Sequence, residues 1–202
     1  MRLLTSLLCL ALAACSTPGP ATNSTSPDAN RRALAALGDW SLRGRLNIRN
    51  GDASDTININ WQQQSDSYDI RLSGSLGLGA ARVSGNARGV LIEKAGEDPV
   101  AADSLEALTV DMLGYAFPAR ELVYWVRGLP APGRPFEETA NAEGFTATLS
   151  QTDLAGRRWH LQYDRQANQA GYILPGRIRL EQAPYRLTFV ISDWDLPGGG
   201  SD

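Results

Sequence analysis

The stretch 40-WSLRGRLNIR-49 decides the fold class. Trp40, Leu42, Gly44, Leu46 and Ile48 fall on one side of a period-two repeat, and Ser41, Arg43, Arg45, Asn47 and Arg49 fall on the other. Side chains alternate faces along an extended chain, so the segment predicts a strand with one buried and one solvated face. The alternation recurs with Ile57, Ile59 and Trp61 in 56-TININWQ-62, and with Tyr68, Ile70 and Leu72 in 68-YDIRL-72. Further along it groups Phe145, Ala147 and Leu149, then Trp159, Leu161 and Tyr163. Ile178 and Leu180 follow, and then Tyr185, Leu187, Phe189 and Ile191. Links such as 50-NGD-52 and 65-SDS-67 are turn-forming. Short strands with solvated outer faces and short links predict a largely antiparallel sheet.

Helices interrupt this pattern. Asp103 is placed to cap 104-SLEALTVDML-113, with Glu106 as the reciprocal partner and Gly114 as the stop; Leu105, Leu108 and Met112 share one face. Pro118 suits the first turn of a helix over 119–126, where Leu122, Trp125 and Val126 group and Gly128 ends the run. A further helix is expected over 28–38. The sum is an α+β domain, a curved antiparallel sheet whose apolar face is covered by a few short helices. Periodicity leaves open whether the covered face holds a solid core or a cavity.

The N-terminus reads as a processing signal. Arg2 gives a short positive region, Leu3 to Leu12 is apolar, and 12-LAAC-15 closes it. That run is too short to span a bilayer, which needs about 20 residues, and suits a secretory signal. The ending Leu-Ala-Ala-Cys resembles the lipobox of bacterial lipoproteins. The resemblance implies cleavage after residue 14 and covalent lipid on Cys15, with no other cofactor expected. The other cysteine, Cys9, leaves with residues 1–14, so no thiol is left for a disulfide, a metal or a nucleophile. In the better-known lipoprotein systems an aspartate after the cysteine marks inner-membrane retention, so Ser16 points to the outer membrane. Residues 15–30 then form a lipidated, Ser/Thr/Pro-rich tether, 31–197 a single domain, and 198–202 a short tail.

Without residues 1–14, which hold one arginine and no acid, 18 basic side chains face 22 acidic ones, a net of −4. A nucleic-acid surface, which wants a clustered basic face, is not expected. Catalytic chemistry is equally thin. His160, the one histidine, falls on the solvated face of its strand, and no G-x-S-x-G elbow accompanies it. With no second histidine and no free cysteine, a zinc site is not expected. Glu97-Asp98 and Glu137-Glu138 lie in loop-like stretches, with nothing to pair them across a cleft. Gly74, Gly77 and Gly79 lack the Lys-Ser/Thr and the following helix of a phosphate loop.

The glycines belong to 71-RLSGSLGLGAARVSG-85, where leucine alternates with glycine and serine. Either the strand turns near 73-SGS-75 and returns as 80-AARVS-84, which puts Leu76 at a hairpin tip, or it runs on and buries Leu76. An apolar tip is useful beside a bilayer, because burying one leucine is worth about 1.5–3 kcal/mol.

In sequence, the lipobox, Arg43-Gly44, 61-WQQ-63, 76-LG-77, 125-WVRGLP-130, 159-WHLQY-163, 174-LP-175 and Trp194 resemble the LolB family of outer-membrane lipoprotein receptors. The resemblance covers nearly the whole mature domain. It implies a half-open antiparallel β-barrel covered by short helices and enclosing an apolar cavity. It further implies a monomer on the periplasmic face of the outer membrane that accepts acylated lipoprotein cargo from the soluble carrier LolA and releases it into outer-membrane lipid, without nucleotide or metal. By this resemblance Leu76 matches a protruding leucine needed for membrane insertion, and Leu78 is placed to share the role; the family has proline where this chain has Ser75. Ile59, Trp61, Ile70, Leu122, Trp125 and Trp159 are the candidates for the acyl-chain cavity, each with a plain core reading beside it. Other classes remain: a periplasmic lipoprotein binding free lipid, a structural envelope lipoprotein with a solid domain, and a hydrolase using scattered acids.

Overall fold

The computed structural model describes residues 25–74, 80–107, 109 and 117–197. Its elements run α1 (Pro27–Ala36), β1 (Asp39–Asn50), β2 (Ala53–Gln64), β3 (Ser67–Gly74), β4 (Ala80–Asn86), β5 (Gly89–Lys94) and β6 (Val100–Ala102). Then come α2 (Ala119–Trp125), β7 (Phe136–Ala140), β8 (Thr146–Thr152), β9 (Arg158–Asp164), β10 (Ala167–Gln169), β11 (Tyr172–Leu174), β12 (Arg177–Gln182) and β13 (Tyr185–Asp195). Eleven strands make one sheet in the spatial order β6-β5-β4-β3-β2-β1-β13-β12-β9-β8-β7, and β10 and β11 form a separate ribbon. Every neighbouring pair in the large sheet is antiparallel. Its outer strands β6 and β7 do not meet, so the sheet is open.

The alternation read from 40–49 is the alternation observed. Trp40, Leu42 and Leu46 are buried, Gly44 and Ile48 are partly so, and Arg43, Arg45 and Arg49 are exposed. At Gly44 the register against β13 shifts, and a Cβ there would run into the Val190 carbonyl. Glycine lets β1 bend at this bulge, and the bend curls the sheet around its apolar side. The outer face is held by ion pairs such as Arg43–Asp193 (2.6 Å) and Arg179–Asp164 (2.6 Å), each worth little in solvent.

α1 starts where Ser26 Oγ accepts the Ala29 amide (3.3 Å), with Pro27 in its first turn, and it ends at Ala36 rather than 38. Ser104, not Asp103, caps the next helical turn, by accepting the Ala107 amide at 3.1 Å. Glu106 turns away from the reciprocal role; its carboxylate accepts the Arg120 amide instead (3.2 Å) and ties that turn to α2. Pro118 stands just before α2, and Gly128, at φ +78°, ends the segment as the Leu129 amide reaches back to the Tyr124 carbonyl (3.2 Å). Residues 137–138, read as loop, are in edge strand β7, where Glu137 pairs with Arg158 (2.8 Å) and Glu138 with Arg31 of α1 (2.7 Å). Charged side chains on an edge discourage pairing with another chain.

One half of the covered face is solid. Leu149, Trp159, Leu161, Ile178, Leu180 and Leu187 pack there with Trp125 and Val126 from the α2 end, all essentially inaccessible. Each such side chain contributes about 1.5–3 kcal/mol.

Candidate functional site

The other half is not filled. Between the inner faces of β1–β5 and residues 103–106, 109 and 117–124 lies a pocket of about 580 Å³, within the ~300–1,000 Å³ range of small-molecule sites. Its floor is sheet: Leu46 and Ile48 from β1, Ile57, Ile59 and Trp61 from β2, Ile70 and Leu72 from β3, Val83 and Ile92 beyond, and Phe189 from β13. Its roof carries Leu105, Phe117, Leu122, Val123 and Tyr124. Period-two alternation aims the β residues at one face. In α2, Ala119, Leu122 and Val123, three and four residues apart, share the face turned towards them.

The polar groups in this wall are mostly occupied by one another. Gln63, itself buried, donates to the Ser65 carbonyl (2.8 Å) and accepts from Trp61 Nε1 (3.1 Å). Thr109 donates to the Glu106 carbonyl (3.0 Å) and accepts the Phe117 amide (2.8 Å). Burial, with the nearby Glu106 charge, pushes the Tyr68 hydroxyl up to about 12, so it stays neutral. The pocket therefore offers mainly apolar surface, and among the described residues no hydrogen bond sets a nucleophile against a base within it. Among the described residues no group of three metal-ligating side chains assembles. His160 lies outside on β9, bonded to Ser150 Oγ at 2.9 Å.

Of the residues singled out from sequence, Ile59, Trp61, Ile70 and Leu122 meet in this wall. Trp125 and Trp159 do not. They stand 6.2 Å apart in the packed half, where Trp125 Nε1 donates to Gln151 (2.8 Å) and Trp159 Nε1 to Asp153 (2.9 Å). Their plain core reading is the one observed, because both indoles are fully buried and anchored to polar partners rather than facing the void. Cys15, Leu76 and Leu78 lie outside the described residues. β3 and β4 pair antiparallel, with Ser73 opposite Ala80. Sequence reading missed β5, although Val90 and Ile92 alternate there with Leu91 and Glu93, and so it missed Ile92 in the wall.

The motif 125-WVRGLP-130 builds the roof rather than the pocket. Arg127 is 4% exposed; its Nη1 donates to the carbonyls of Leu34 (2.7 Å) and Leu37 (2.8 Å), and its Nε to Val123 (3.0 Å). The guanidinium lies 5.7 Å from the Trp40 ring and 5.6 Å from that of Tyr124. It thereby fastens the end of α1 to α2 over the start of β1.

An open antiparallel sheet curled around an apolar pocket and roofed by short helical segments defines a class, the LolA-like fold. A LolA-superfamily protein from Nitrosomonas europaea superposes with a TM-score of 0.55 at 13% identity, covering 85% of this chain and 93% of that one. A DUF1329 family protein from Desulfovibrio piger gives a TM-score of 0.54 at 11% identity, covering 88% and 96%. Sequence narrows the class: the family model described as outer membrane lipoprotein LolB matches residues 38–194. An outer-membrane lipoprotein LolB from Stutzerimonas stutzeri is 37% identical over 199 residues, 96% of this chain and 94% of its own length. One from Pseudomonas aeruginosa is 39% identical over 165 residues, 82% and 78%. The chain belongs to the outer-membrane lipoprotein LolB family.

Proposed function

We propose that this protein is the outer-membrane receptor of lipoprotein sorting, anchored through lipid on Cys15 after loss of residues 1–14. It takes acylated lipoproteins from the periplasmic carrier LolA and passes them to the outer membrane. The observation that carries the reading is the half-filled interior: a mainly apolar pocket of about 580 Å³ in a chain of this family. Acyl chains of the cargo would lie against Ile59, Trp61, Ile70 and Leu122, beneath Leu105, Phe117 and α2. No cofactor enters. The hand-over is downhill only if each site along the route holds the chains better than the last, and release needs the pocket to hold them less well than lipid does. A wall of side chains with weak polar demand suits that intermediate affinity. The connection 75–79, with Leu76 and Leu78, serves the last step by entering the leaflet.

The test is transfer in vitro. LolA loaded with an acylated lipoprotein is mixed with this protein and then with liposomes, wild type beside Leu76→Glu. The expected result is that both accept cargo and only wild type deposits it. A wild-type protein that takes nothing from the carrier would overturn the reading and favour a binder of free lipid or a structural lipoprotein.

A further inference from the structure

Among the described residues three large apolar side chains stand exposed, Val100 (50%), Phe136 (44%) and Leu154 (55%). All three lie towards one edge of the sheet. The chain turns at that edge between β1 and β2, β3 and β4, β8 and β9, and β12 and β13, and also between β5 and β6. Leu154 is in the β8–β9 turn, Phe136 opens β7 opposite Gln151 near the end of β8, and Val100 opens β6. β3 ends and β4 begins at the same edge, with four strands between β3 and β9.

Single exposed leucines are ordinary on protein surfaces, but Leu154 is held in an unusual frame. The Asp153 amide donates to the Arg157 carbonyl (2.9 Å), and the Gly156 amide to the Asp153 carbonyl (3.1 Å). The buried Asp153 carboxylate accepts from the Arg157 amide (2.9 Å), Arg157 Nε (2.8 Å) and Trp159 Nε1 (2.9 Å). The Leu154 amide itself donates to Glu121 Oε1 (3.0 Å), a carboxylate only 3% exposed that also takes Arg134 (3.0 Å). Two buried carboxylates thus lock the backbone of a turn whose leucine side chain is left bare. Burying carboxylates is costly, and a locked frame spares a contact the cost of ordering it on arrival.

We infer that Leu154, with Phe136 further along the same edge, is a second contact with the outer-membrane leaflet, distinct from the connection 75–79. The inference rests on the receptor reading above. A protein partner would need roughly 800 Å² on this side; a lone side chain on a tight turn offers far less and suits insertion among lipid head groups. One apolar tip leaves the domain free to rotate over the bilayer. Leu154 in the β8–β9 turn and Phe136 at the start of β7 give the domain two points of contact at one end of the strands, and so set its tilt.

The full, acylated protein tests this, because its own cysteines are Cys9, removed with the signal, and Cys15, blocked by lipid. A Leu154→Cys variant is labelled with an environment-sensitive dye and reconstituted into phosphatidylethanolamine/phosphatidylglycerol vesicles containing spin-labelled lipid. Glu143→Cys, in the turn at the opposite edge, is the reference. The dye at 154 should be quenched at least about twofold more than that at 143; equal quenching overturns the inference. In the transfer assay, Leu154→Ser should accept cargo normally and deposit it about tenfold more slowly, while Leu154→Phe keeps the wild-type rate. Loss at the acceptance step instead would assign the tip to the carrier and overturn the membrane contact. The receptor reading fails separately, if wild type accepts no cargo.

Discussion

Replacing Arg127 by alanine should cost the domain about 2–4 kcal/mol, and the size follows from two opposing effects. Three charged donor bonds, to the carbonyls of Leu34, Leu37 and Val123, are each worth about 1.5–3 kcal/mol. The flanking rings of Trp40 and Tyr124 add about 1–2 kcal/mol each once the cation is desolvated. Against these stands the cost of taking a guanidinium out of water with no carboxylate among those partners, which is several kcal/mol. Burial accordingly pulls its pKa below the ordinary arginine value. Alanine relieves that cost but strands acceptors at the end of α1, where helix carbonyls have no partner of their own, so the bonds win. Lysine keeps the charge but not the planar fork that spans two carbonyls, and should lose about 1–2 kcal/mol. Urea unfolding followed by tryptophan fluorescence measures both, since Trp40 sits beside the guanidinium. An alanine variant with an unchanged midpoint and slope would refute the clamp, by showing that desolvation cancels the bonds.

Two further outcomes are expected. Leu161→Ala, in the packed half, should cost about 2–5 kcal/mol, whereas Ile59→Ala, in a wall that already faces a void, should cost about 1–2 kcal/mol; equal losses in urea unfolding would mean that the pocket is packed in solution. Burial holds the Glu121 carboxyl above its ordinary value of 4.5, with Arg134 and the Leu154 amide pulling the other way. The folded state then binds this proton more tightly than the unfolded one. Stability from the group therefore grows as pH falls from neutrality through the raised folded value, and is lost as pH rises back through it. Wild type should gain on Glu121→Gln as the pH is lowered from 7 in thermal unfolding, and parallel curves for the two proteins would contradict the assignment.

The inward-facing strands were legible because one physical constraint, a wet outer face, imposes a period of two on β1, β2, β3, β9, β12 and β13. The edge strand β7 was not, since its five residues are all exposed and nothing in 136-FEETA-140 is buried to set a period. The helix cap was placed one residue early at Asp103, because Asp and Ser are equally good caps by type and only geometry separates them. The site was half legible. Ile59, Trp61, Ile70 and Leu122 point inwards by pattern, but so do Trp125 and Trp159, and alternation fixes the side a residue faces without saying whether atoms or a void lie opposite. That difference arises from the roof, through the hold of Arg127 on α1 and the hydrogen bond that the Arg120 amide donates to Glu106, and those long-range contacts leave no local period.

Whether cargo acyl chains occupy the pocket between the sheet and α2 can be read by site-specific photocrosslinking. A photoreactive amino acid is placed at Leu72 or Val123, both partly buried in the pocket wall, and at Tyr172, partly buried elsewhere. Each variant is loaded with acylated lipoprotein from the carrier and irradiated. Cargo adducts are expected from 72 and 123 and none from 172. Adducts from 172, with none from 72 and 123, would contradict that occupancy.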